Sequence, residues 1–166
     1  MADEGTTARG VTGLVAAALA VAALAILALL LFRGPAGATD VALQPDDDDV
    51  VAVGERIYAE TCAACHGASL EGQPDWQSRG TDGLMPAPPH DATGHTWHHD
   101  DATLFTLTKH GLAGVLGDDA PDSAMPAYDG VLTDDEIIAV LSYIKSTWPA
   151  DVRAAHDDIN ARVAGR

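Results

Sequence analysis

Cysteine is nearly absent from this chain: 166 residues hold two, Cys62 and Cys65, with two residues between them. So short a loop is a poor structural staple, because cross-link stabilisation grows with loop length. A structural zinc site is excluded as well, since it needs a second ligand pair and no other thiol exists. A redox motif, a metal site or a cofactor attachment are the readings left for the pair. Basic residues are scarce: nine Lys and Arg stand against 25 Asp and Glu, a formal net charge of −16. Beyond residue 39 the chain carries 23 acidic and seven basic residues, so the polar part holds all of that excess. Such a surface excludes nucleic acid and anionic lipid as partners. It suits a basic or mixed-charge protein, or solubility alone. No internal repeat is present.

What is there begins with residues 11–32, a 22-residue uncharged, almost wholly apolar run. As a helix it is about 33 Å long, matching the hydrocarbon core of a bilayer. Signal peptides use a shorter apolar stretch, roughly 7 to 15 residues, so length favours a retained transmembrane anchor. Ala36-Gly37-Ala38 offers a competing reading as a cleavage site. Arg9 before the run and Arg33 after it leave the orientation open. Residues 33–49, with Gly, Pro and the run Asp46-Asp47-Asp48-Asp49, read as a self-repelling extended linker.

The folded unit is expected over 50–148. Val53, Ile57 and Tyr58 share one face of a first helix, with Asp49 as candidate N-cap. That helix runs into Cys62-Ala63-Ala64-Cys65-His66, the attachment signal for c-type haem. Two thiols one helical turn apart can both add to vinyl groups on one porphyrin edge. The next residue, His66, then brings its imidazole to the iron as proximal ligand. A thioredoxin-like pair should open a helix after a strand, whereas here a helical pattern leads in.

These residues make the chain resemble the class I cytochromes c. In that family a Gly precedes an aromatic by four residues, and the aromatic precedes the first Cys by four; Gly54, Tyr58 and Cys62 match. The family's last helix crosses the first at that Gly, and residues 140–145 (Val-Leu-Ser-Tyr-Ile-Lys) match its contact segment. The helix is well signalled on its own terms: Thr133 and Glu136 form a capping box, and Ile137, Val140, Leu141 and Ile144 form an apolar stripe. The resemblance implies an all-α class I cytochrome c fold around one covalently attached haem, and the apolar run 11–32 would precede it as a single transmembrane helix.

It further implies a methionine as sixth ligand. Met125-Pro126, 59 residues beyond His66 and shortly before the capped helix, resembles the family's methionine loop. Met85-Pro86 is the competitor, only 19 residues from His66. Its surroundings, 84–89 with Pro86 among them, resemble instead the family's proline-containing loop on the proximal side, where a backbone carbonyl would accept the hydrogen bond from the other nitrogen of His66.

His90, His95, His98 and His99 crowd around Trp97. Trp97 and His98 are expected on the propionate side of the haem. A copper or zinc site on these histidines is the competing reading. Asp100 caps a helix carrying Leu104, Phe105 and Leu107, ending near Gly111. Residues 149–166 form a helical tail that packs on the domain or faces a partner.

The resemblance thus predicts a one-electron carrier with one haem c, not an enzyme, with no small-molecule substrate. Residues 1–10 would lie in the cytoplasm and the haem domain in the periplasm, held at a bacterial inner membrane. Redox partners would be a quinol-oxidising complex, a terminal oxidase or a dehydrogenase. Lys109 and Lys145 are the only lysines, so the lysine-rich docking face of mitochondrial cytochrome c is missing. A gas sensor or peroxidase-like enzyme with a labile sixth ligand, and a periplasmic copper-handling protein, are the alternatives.

Overall fold

The computed structural model describes residues 41–165. The chain divides into two units, Met1–Thr39 and Asp40–Arg166, and only the second is described here. The expected cytoplasmic segment 1–10, the anchor 11–32 and the first part of the linker lie outside the described residues. Among the described residues no helix is long and apolar enough to cross a membrane.

Every regular element of the described unit is a helix, with loops between His66 and Thr96 and between Asp119 and Asp134; its sole β pairing is an isolated bridge between Asp129 and Leu132. Helix α1 spans Asp48–Ile57, and its cap is Asp47 rather than Asp49. The Asp47 carboxylate accepts from the amides of Asp49 and Val50, both at 3.1 Å. Asp48 and Asp49 fall in the first turn instead, where negative charge suits the helix dipole. α1 passes into a π-helical turn, Tyr58–Cys62, and then into the short helix α2, Ala63–His66. Gly67, with φ of +83°, stops it.

Helix α3 spans Asp101–Leu116 and is capped by Asp100, whose carboxylate accepts from the amide and hydroxyl of Thr103. Gly111, with φ of +71°, breaks it as expected, but a further helical turn follows. Helix α4 spans Asp134–Ser146, and its capping box is complete: Thr133 N donates to Glu136 Oε2 (2.8 Å) and Glu136 N donates to Thr133 Oγ1 (3.3 Å).

Helix α5, Ala150–Ala164, belongs to the domain. Its His156 is fully buried beside Trp148, and Asp157 pairs with Lys145 of α4 at 2.6 Å. The end of the expected linker is likewise part of the fold. Leu43 is buried and its amide donates to Asp101 Oδ2 (2.9 Å), while Gln44 N donates to Ser142 Oγ (2.9 Å). Asp101 also receives Asn160 Nδ2 of α5 on its other oxygen at 2.9 Å. Both oxygens of this buried carboxylate are therefore satisfied by donors from distant parts of the described unit.

The core gathers Ile57 and Tyr58 of the first helical stretch, Leu104 and Phe105 of α3, and Ile137, Val140, Leu141 and Ile144 of α4. α1 packs against α4 at Gly54, which is buried between them.

Candidate functional site

The helices enclose a cavity of about 500 Å³ with a mostly apolar wall. That volume lies within the roughly 300–1,000 Å³ of cofactor sites. Cys62, Cys65 and His66 form one wall, α3 contributes Leu104, Leu107 and Thr108, and α4 contributes Val140, Leu141 and Ile144. The π-helical turn carries Cys62 to the cavity and α2 carries Cys65 and His66, with Gly67 ending the helix just after them.

Cys62 is half-buried and Cys65 exposed. Burial pushes the Cys62 thiol up to about 11, with Cys65 adding to the shift. His66 is buried, and its Nδ1 lies 2.9 Å from the carbonyl oxygen of Pro88. A carbonyl only accepts, so Nδ1 carries the proton and Nε2 keeps its lone pair for a metal. Burial also lowers the basicity of His66, outweighing the Pro88 bond, and so favours the neutral, ligating imidazole. The acceptor, Pro88, lies within the segment 84–89 from which a carbonyl was expected. Pro86 lines the cavity without making that bond. In an extended proline-rich stretch adjacent carbonyls point in different directions, and spacing alone does not say which one meets the ring.

Met125 and Met85 both line the cavity. Met125 is half-buried; its loop is stitched to α3 by Tyr128 N donating to Thr108 O (3.1 Å) and Asp129 N donating to Lys109 O (2.8 Å). Met85 is 42% exposed and lies in the segment that leads to Pro88.

Trp97 and His98 do not line the cavity; His90, His95, Thr96 and His99 do. Thr96–His98 is a tight 3₁₀ turn that buries Thr96 and sends its two neighbours elsewhere. The Trp97 ring stacks on His98 at 3.7 Å, and its indole N–H is buried without a partner. His90 is the residue the sequence reading passed over: its ring stacks on that of His66, centroids 4.0 Å apart and planes 22° apart. Among the described residues no three His, Cys, Asp or Glu side chains converge to hold a metal ion.

Two thiols, an imidazole with a free Nε2 and two thioethers line one apolar cavity, donors of the kinds that hold covalently attached haem. The chain belongs to the cytochrome c family, whose profile matches residues 51–148. Haem c is accordingly the group this site binds. The chain is 34% identical over 97 residues to the Cbb3-type cytochrome c oxidase subunit FixP of Bradyrhizobium sp. (strain ORS 278), covering 57% of this chain and 27% of that protein. It is 35% identical over 98 residues to the subunit CcoP of Azospirillum sp. (strain B510), covering 59% and 29%. With CcoP of Rhodobacter capsulatus the identity is 34% over 107 residues, covering 62% and 31%. The chain thus spans about three tenths of the length of these relatives. No solved structure matches it.

Proposed function

We propose that this chain is a one-electron carrier holding a single haem c through Cys62 and Cys65, with His66 and Met125 as the axial ligands. The observation that carries the reading is that both thiols, the free-Nε2 imidazole and Met125 line one cavity. Haem supplies one-electron chemistry, its iron alternating between the ferric and ferrous states.

The protein's part is to bind, orient and exclude water. Pro88 fixes the tautomer of His66 and strengthens it as a donor. Met125 is favoured over Met85 because Met85 sits in the segment that already serves His66, whereas Met125 comes from a loop anchored on α3. Held by both His66 and Met125, the haem would supply electron transfer rather than turnover of a substrate. A copper-handling role on the histidine segment draws no support from the fold, since among the described residues no three ligating side chains converge.

Residues 11–32 would anchor the chain in a bacterial inner membrane, with the haem domain on the periplasmic side. The relatives are named as subunits of a cbb3-type oxidase. Those names favour a terminal oxidase as redox partner over a quinol-oxidising complex or a dehydrogenase. The net charge of −16 points to a partner with a basic docking face.

The deciding experiment is an absorption spectrum, oxidised and reduced, of protein made in a host that matures c-type haem. A low-spin haem with a sulfur-to-iron charge-transfer band, indifferent to carbon monoxide, is expected. A haem that binds carbon monoxide would move the reading to sensor or enzyme, and absence of covalent haem would end it.

A further inference from the structure

Of the four histidines between 90 and 99, His90 is held most firmly. Its amide donates to Leu70 O (2.8 Å), and its carbonyl accepts from the indole of Trp148 at the end of α4 (2.7 Å). Its Nδ1 lies 2.8 Å from the hydroxyl of Thr96, a buried residue whose oxygen also lies 3.4 Å from Pro89 O. Tyr58 presents its ring to the same imidazole at 71°, with centroids 6.3 Å apart. Leu70 and Trp148 thus hold the backbone of His90 while Thr96 and Tyr58 meet its ring, and that ring lies 4.0 Å from His66.

We propose that His90 is a positioning residue for the proximal ligand: its imidazole lies flat against His66 and, together with the Pro88 carbonyl, sets the plane in which the His66 ring stands to the haem iron. The inference rests on His66 being that ligand. One hydrogen bond at Nδ1 fixes an edge of the ring but lets the ring swing about the N–H···O line. A plate against the face removes that swing. An aliphatic side chain would fill the same space without a defined plane. The hydroxyl of Thr96 defines the plane of His90, and through it that of His66.

The orientation of an axial imidazole decides which iron d orbital its π electrons meet, and electron paramagnetic resonance of the ferric protein reads this in the g-values. The test compares oxidised holoprotein with His90→Leu, which removes the plate, and Thr96→Val, which keeps the plate and removes its anchor. Pyridine haemochrome spectra first establish covalent haem in each. The expected result is shifted, broadened or doubled g-values in His90→Leu and a smaller change of the same kind in Thr96→Val. Signals in both variants that superpose on the parent would overturn the proposal. If His90→Leu fails to take up haem, Thr96→Val alone decides, and an unchanged signal there overturns it. Absence of haem from the unaltered protein would instead strike the haem assignment, a distinct outcome.

Discussion

Gly54 of α1 lies directly on the carbonyl of Ala139 in α4, with no room between the two helices for a Cβ. A Cβ built there would come within 2.6 Å of the Ala139 carbonyl carbon and 2.9 Å of the Tyr143 Cβ. In an exposed helix, Gly→Ala gains about 1 kcal/mol. Here the sign reverses, because the obstacle is backbone that cannot rotate away. Gly54→Ala should destabilise the domain by about 1–3 kcal/mol, the range for overpacking, measured as a lower midpoint in urea.

The two methionines of the cavity separate by potential. Met125→Ala should leave haem attached while lowering the reduction potential by a large part of the ~0.8 V that axial ligands control. Met85→Ala should leave the potential near that of the parent. Redox titration of both variants checks the assignment, and the opposite pattern would transfer the sixth ligand to Met85.

The thiols differ before haem is attached. Burial holds the Cys62 thiol up to about 11, so its thiolate, the nucleophile, is rare at neutral pH. Haem-free protein treated with iodoacetamide at pH 7.5 should be labelled slowly at Cys62, rising steeply as pH approaches 11. Peptide mass mapping against time shows this. Rapid labelling of Cys62 at neutral pH would mean that the haem-free site is open.

His156 makes stability depend on acidity. Burial lowers its basicity, Lys145 adds to this, and Asp101 opposes without prevailing. The unfolded chain takes up this proton near pH 6.5, and the folded chain only at lower pH. The unfolded state therefore holds more protons in that window. The contribution is full above about pH 6.5 and is lost as pH falls through the folded value. Denaturant midpoints should drop from pH 7 to 5 in the parent, and His156→Gln should flatten that drop.

Where chemistry and neighbours in sequence coincide, the fold was readable in advance. Cys62, Cys65 and His66 are contiguous, so one turn of helix settles their common face. The Thr133–Glu136 box and the stripe from Ile137 to Ile144 are local in the same way. What escaped was set by distance along the chain. Which carbonyl of 84–89 meets His66 depends on where that segment passes the ring. That Thr96 rather than Trp97 or His98 lines the cavity depends on a three-residue turn whose direction Thr96 fixes by burying itself. The acidic, Pro-containing stretch before α1 read as a free tether because its partners, Asp101 and Ser142, lie 58 and 98 residues away.

Asp101 ties Leu43 near the first described residue to Asn160 near the last. The unit therefore opens and closes at one seam, like a bead whose string enters and leaves by a single hole. A domain with neighbouring ends can be inserted into a longer chain, or joined in series with other modules, with little strain on the flanking segments. Loss of the Asp101 carboxylate should loosen both ends together, so that clipping by a protease at one end would accompany clipping at the other.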